Sequence, residues 1–165
     1  MVRFVLGGAR SGKSRYAEAL VERHPAPWMY LATAEAFDDE MRARIATHRE
    51  RRRDGWITRD VPLDLAAALR EAGPAPVLVD CLTLWLTNLM LGERDVDAAT
   101  EGLLAALAAR AGPTVLVSNE VGLGIVPEHA LARRFRDAAG VLHQRIAGVA
   151  DGVVLMVAGI AMRVK

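Results

Sequence analysis

A single cysteine, Cys81, stands in 165 residues. No disulfide can form within the chain, which fits a reducing compartment. Long hydrophobic runs are missing as well: the longest, Gly152 to Met162, falls far short of the ~20 residues that span a bilayer. The N-terminus enters an apolar segment directly and lacks the layout of a signal peptide. Neither sign of charge dominates. Lys and Arg number 21 against 20 Asp and Glu, a net +1, which gives no reason to expect a nucleic-acid or membrane-surface partner. There is no internal repeat and no low-complexity linker. These absences leave a soluble cytoplasmic protein as the expectation. What is present is an apolar share of 52%, slightly above the usual ~45–50%. A chain of this length can bury a real core and suits one α/β domain over residues 1–165.

The stretch around which the chain is organised is Gly7-Gly8-Ala9-Arg10-Ser11-Gly12-Lys13-Ser14. It fits G-x-x-x-x-G-K-[ST], the phosphate-binding loop. The context the motif needs is present: the β-prone Val2 to Leu6 before it and the helically periodic Arg15 to Arg23 after it. Glycines allow the tight turn that points successive N–H groups at an anion. The helix that follows directs its N-terminal amides and dipole at the same point. Lys13, at a solvent-facing anion site, would place a charge on the β- and γ-phosphates, and the Ser14 hydroxyl would hold Mg²⁺.

Downstream, strands and helices alternate. Trp28 to Ala32 reads as a strand, Phe37 to about Arg53 as a helix, Trp56 to Val61 as a strand and Leu63 to Ala72 as a helix. Val77 to Asp80 is an apolar strand ending in an acid. Leu82 to Leu91 and Val96 to Ala111 are helices, and Thr114 to Ser118 is a strand. Glu128 to Ala150 is a long helix with Gly140 as a point where it could kink. Continuously apolar strands alternating with helices predict a mostly parallel sheet covered on both faces. Val153 to Val157 and Ile160 to Val164 are too close for a crossover helix, so they predict an antiparallel hairpin.

Three further groups could carry chemistry. Asp80 ends a strand, where phosphate-loop proteins place an acid that holds Mg²⁺; it could equally cap the helix at Leu82. His48 falls within the arc of the Phe37, Met41 and Ile45 stripe and so faces the protein body, as a packing histidine or as a functional one. Arg49-Glu50-Arg51-Arg52-Arg53 follows it. That run is either a solvated helix end or a cationic pocket for polyphosphate beside an imidazole, which can form covalent intermediates. The third is the Gly-rich, acid-bearing loop Ser118 to Pro127. It follows a strand at the sheet edge where α/β proteins bind ligands, and reads equally as a plain connection.

At this point the chain resembles a known family. The phosphate loop, Ala32-Thr33-Ala34, Asp39-Glu40-Met41-x-x-Arg44-Ile45 leading to His48-Arg49, and Val79-Asp80-Cys81-Leu82-Thr83 carry the likeness. So do Asn119-Glu120-Val121-Gly122-x-Gly124-Ile125-Val126-Pro127, Arg134-Phe135-Arg136-Asp137 and Gly159-Ile160-x-x-x-x-Lys165. Together, in this order and over essentially the whole chain, they are similar to the bifunctional adenosylcobinamide kinase/adenosylcobinamide-phosphate guanylyltransferase of cobalamin biosynthesis.

The resemblance implies two reactions. A nucleoside triphosphate, ATP or GTP, phosphorylates the hydroxyl of the aminopropanol arm of adenosylcobinamide. GTP then donates GMP to that phosphate through a GMP–histidine intermediate, and pyrophosphate leaves. It implies His48 as the guanylylated residue and Lys13 as the second catalytic residue. The nucleotide site would comprise Gly7, Gly8, Ala9, Arg10, Ser11, Gly12, Lys13 and Ser14, with Ala32, Thr33, Ala34, Arg49, Glu50, Arg51, Arg52, Asp60 and Asp80. Some members of that family carry Glu at the places of Asp60 and Asp80, which changes reach but not charge. It also implies Mg²⁺ at Ser14 and Asp80, a phosphate-loop fold of the recombinase-like kind, and a trimer.

Kinase chemistry attacks the γ-phosphorus and guanylyl transfer the α-phosphorus, so one loop would need two nucleotide poses or a moving His48 helix. Two other readings compete. A recombinase-type strand-handling module would need a basic face, against which the balanced charge speaks. A plain small-molecule kinase would never use His48.

Overall fold

The computed structural model describes residues 1–35 and 54–165. The helix expected over Phe37 to Arg53, with His48, lies outside them. Among the described residues the chain runs β1 (Val2–Gly7), α1 (Lys13–Val21), β2 (Trp28–Ala32), β3 (Trp56–Asp60), α2 (Leu65–Glu71), β4 (Val77–Asp80), α3 (Leu82–Leu91), α4 (Val96–Ala109), β5 (Thr114–Asn119), α5 (Ala130–Val149), β6 (Gly152–Val157) and β7 (Ile160–Arg163). Every expected strand is present. The helices match except at their ends: α2 starts at Leu65, not Leu63, and α5 runs unbroken through Gly140.

The seven strands form one sheet in the order β3-β2-β4-β5-β1-β6-β7. Strands β1 to β6 are parallel, and β7 returns antiparallel to β6 as the short connection required. One strand, β5, stands between the phosphate-loop strand β1 and the acid-bearing strand β4.

Alternate residues of each buried strand feed two cores, because successive side chains leave a strand on opposite faces. Phe4, Leu31, Val79 and Leu116 join Leu65, Trp85, Leu103, Leu142 and Ile146 from α2 to α5 on one face. Val5, Tyr30, Leu78 and Val117 meet Ala17 and Val21 of α1 on the other. This is why the strands read as continuous apolar runs.

The hairpin turns through Ala158 and Gly159, both with positive φ (50° and 81°), the conformation that matches strand twist in a two-residue connection. Gly159 N–H donates to the Ser11 carbonyl at 3.1 Å, so the hairpin also braces the phosphate loop.

Candidate nucleotide site at the carboxyl edge of the sheet

Parallel strands deliver their carboxyl ends to one edge, and the candidate residues are set by register along it. Ala32 pairs with Asp60 on one side and Asp80 on the other, and Gly7 pairs with Asn119. Asp60 is thus brought to the same edge as Asp80 but stands two strands away, about 10 Å at the usual strand spacing.

The loop itself is built by glycine where nothing else fits. A Cβ on Gly7 would meet the Met156 carbonyl at 2.7 Å and Ser11 Oγ at 2.6 Å. Gly12, at φ 95°, opens α1 in the left-handed region that side chains avoid. Gly8, Ala9 and Arg10 are exposed at the lip, and Arg10 also takes a positive φ of 54°. The first-turn amides of α1 carry no side-chain cap, which leaves them directed at the loop's interior.

Lys13 departs from the expected solvent-facing position: it is only 8% exposed, and Nζ donates to the Gly8 carbonyl at 2.6 Å. Burial pushes its ammonium below the ordinary lysine value, while the Asp80 carboxylate acts in the opposite sense. Burial, aided by Asp80, raises the Cys81 thiol, which therefore stays protonated and unreactive. A desolvated cation held by its own loop's carbonyl is an anion site in waiting.

Asp80 is the hub beside it. Its Oδ2 accepts from Ser14 Oγ at 3.2 Å and from the Tyr30 hydroxyl at 2.6 Å. Asp80 and Ser14 are thereby brought together from 66 residues apart, as the metal reading requires. The alternative, a cap on α3, finds no support: the residue preceding Leu82 there is Cys81, and no side chain caps the helix.

Thr33 is fully buried. Its Oγ1 donates to the Cys81 carbonyl at 2.7 Å and accepts from the Cys81 N–H at 2.8 Å. Its own carbonyl accepts from Asn88 Nδ2. Both hydrogen bonds of its hydroxyl go to Cys81, and they place the segment that carries Asp80. Ala32 is buried and Ala34 half-buried beside it. His48, Arg49, Glu50, Arg51 and Arg52 lie outside the described residues.

One contributor escaped sequence reasoning. Tyr30 holds Asp80, and strand parity was the available signal: Tyr30 and Ala32 share a face, and Ala32 registers with Asp80. Asn119 donates to Thr83 Oγ1 at 2.9 Å and so joins the end of β5 to the start of α3.

The family model described as cobinamide kinase / cobinamide phosphate guanyltransferase matches residues 3–164. The chain belongs to this family. Family members are kinases and nucleotidyltransferases, so the chain is an enzyme of adenosylcobalamin biosynthesis with both activities. It is 52% identical to the bifunctional adenosylcobalamin biosynthesis protein CobP of Pseudomonas aeruginosa, over 98% of this chain and 95% of that one. It is 42% identical to the bifunctional adenosylcobalamin biosynthesis protein CobU of Salmonella typhimurium, and 41% to that of Escherichia coli, over the full length of both partners in each case. Among solved structures, the VirB11 ATPase of the Brucella suis type IV secretion system, in complex with sulphate, covers 93% of this chain and 42% of its own. Its TM-score of 0.49 and 16% identity are too slight to bear on the site.

Proposed function

We propose that the loop from Gly7 to Ser14 holds the triphosphate for both reactions, and that His48 carries the guanylyl group between them. In the first reaction the hydroxyl of the aminopropanol arm of adenosylcobinamide attacks the γ-phosphorus of ATP or GTP, and the nucleoside diphosphate leaves. In the second, a neutral His48 nitrogen attacks the α-phosphorus of GTP and pyrophosphate leaves. The phosphate of adenosylcobinamide phosphate then displaces His48, giving adenosyl-GDP-cobinamide. Lys13 and the arginines from Arg49 to Arg52 offset the charge on the departing oxygens. The observation that carries this reading is the buried Lys13 ammonium at Gly8, beside the Ser14–Asp80 pair.

Ser14 Oγ and Asp80 Oδ2 suit Mg²⁺, a hard cation that takes oxygen ligands, one or two carboxylates among them, with substrate phosphates completing its shell. Among the described residues no cluster of three His, Cys, Asp or Glu side chains forms a protein-only cage. Bound at Ser14 and Asp80, Mg²⁺ would supply positive charge at the phosphate oxygens. Asp80→Asn should raise the Mg²⁺ concentration for half-maximal rate in both reactions by about tenfold or more, the scale on which groups around a metal act. Unchanged magnesium titrations would reduce Asp80 to a partner of Tyr30.

The reading extends to a cytoplasmic trimer. No described helix is long and apolar enough to cross a membrane. Ile160 and Met162 on the edge strand β7, and Val164 after it, are exposed apolar side chains that a second copy would cover.

The test is turnover of adenosylcobinamide with GTP, reading products by mass. Adenosylcobinamide phosphate followed by adenosyl-GDP-cobinamide is expected. Absence of both would withdraw this substrate from the site.

A further inference from the structure

The loop after β5 remains unassigned by the two reactions, and the structure gives it a definite place. A cleft of about 480 Å³ opens beside the phosphate loop. Gly8 and Ser11 form one wall, and Glu120 and Val121 another, with Leu123 and Met156 among the apolar remainder. Glu120 is the one charged residue among the described lining residues. Two more observations tie this cleft to the chemistry. Gly8 is the residue whose carbonyl holds Lys13 Nζ, so the cleft begins where the terminal phosphate would lie. Ser11 Oγ is buried without a hydrogen-bond partner, a hydroxyl of the loop left for a ligand to satisfy.

Glu120 is held for this position from three sides. Its N–H donates to the Gly7 carbonyl at 3.0 Å, fixing it to the start of the phosphate loop. Its Oε1 accepts from the Gly122 N–H at 2.6 Å, which orients the carboxylate. Behind it, His143 Nδ1 lies 3.9 Å from Oε2, while His143 Nε2 bonds Ser118 Oγ at 2.8 Å. Burial lowers the His143 imidazole below its ordinary value, so near neutral pH the ring is uncharged and does not neutralise Glu120.

We propose that this cleft receives the alcohol-bearing arm of the acceptor and that Glu120 is the general base of the kinase step. The proposal rests on the reading above that the phosphate loop holds the donor triphosphate. The arm's hydroxyl oxygen forms the new bond to the γ-phosphorus as the bond from that phosphorus to the β–γ bridging oxygen breaks. The hydroxyl proton passes to a Glu120 carboxylate oxygen, and the nucleoside diphosphate leaves with the bridging oxygen. An apolar cleft with one carboxylate suits an uncharged alcohol at the end of a flexible chain, and it disfavours an anionic acceptor. Guanylyl transfer, whose acceptor is already a phosphate, has no such proton to remove and does not need Glu120.

The two reactions therefore make Glu120→Gln selective. The amide keeps the acceptor for Gly122 N–H and the shape of the loop, and loses only the base. Kinase kcat with adenosylcobinamide should fall about 10²-fold or more, the usual contribution of a positioned base, with the KM for nucleotide unchanged. Transfer of GMP to preformed adenosylcobinamide phosphate should stay within about threefold of wild type, which also certifies the fold. Glu120→Asp should recover part of the kinase rate. Filling the cleft with Val121→Trp should raise the KM for adenosylcobinamide and leave that for nucleotide unchanged. A kinase rate in Glu120→Gln within about threefold of wild type would overturn the proposal. So would an equal loss of both reactions, which would make Glu120 structural. Loss of the kinase in the wild type itself would instead indict the phosphate-loop reading.

Discussion

Lys13→Ala should lose phosphoryl transfer by about 10²- to 10³-fold, the range in which removing one preorganised charge-stabilising donor falls. The Nζ of Lys13 lies at Gly8, and burial has already stripped it of water, so its charge acts on an incoming phosphate with little solvent reorganisation. The variant should nonetheless fold. Removing a desolvated ammonium relieves a cost, while the Gly8 carbonyl loses one charge-assisted hydrogen bond worth about 1.5–3 kcal/mol. The two terms oppose each other, and each kcal/mol left over would move the thermal midpoint by ~2–4 °C. Guanylyl transfer should fall as well, because the same loop binds the triphosphate. Near-normal kinase turnover in Lys13→Ala would remove the phosphate loop from the reaction.

His48→Ala should abolish guanylyl transfer, by about 10³-fold or more, since nucleophile removal forfeits the covalent route altogether. Kinase activity should fall by less than about tenfold, because Lys13, Ser14 and Asp80 remain in place. The measurement is the ratio of adenosylcobinamide phosphate to adenosyl-GDP-cobinamide formed from one reaction mixture. In the wild type the phosphate should be transient, and in the variant it should accumulate. A variant that still completes the second product would mean direct transfer from GTP, and a plain kinase reading would regain ground if the wild type never formed that product.

The parts legible from sequence are those fixed by local chemistry. The phosphate loop declared itself because glycine spacing, lysine and serine all serve one anion, and its strand–loop–helix setting lies within a few residues. Val77 to Asp80 declared itself because a strand buried on both faces has to be apolar throughout, so the terminal acid stands out. Sheet order was not legible, since which strands lie side by side is decided by packing between distant segments. For the same reason the Tyr30–Asp80 bond spans 50 residues and Ser118–His143 spans 25. Lys13's burial was missed because it depends on how the loop closes back onto Gly8, which the motif does not encode. Thr33 was read as nucleotide-binding from resemblance alone. Its place behind Cys81 follows from two hydrogen bonds of its hydroxyl to the Cys81 backbone, a pairing across 48 residues that residue type does not encode.

The measurement that tests the central claim most directly is covalent trapping with GTP labelled at one phosphate at a time, in the presence of Mg²⁺ and the absence of acceptor. Label in the α-phosphate should stay with the denatured protein and map to His48, while label in the γ-phosphate should leave as pyrophosphate. The bond should hydrolyse in acid and survive base, as a phosphoramidate does and an acyl phosphate does not. Retention of γ-label, or α-label that persists in His48→Ala or maps to His24, His129 or His143, would contradict the account.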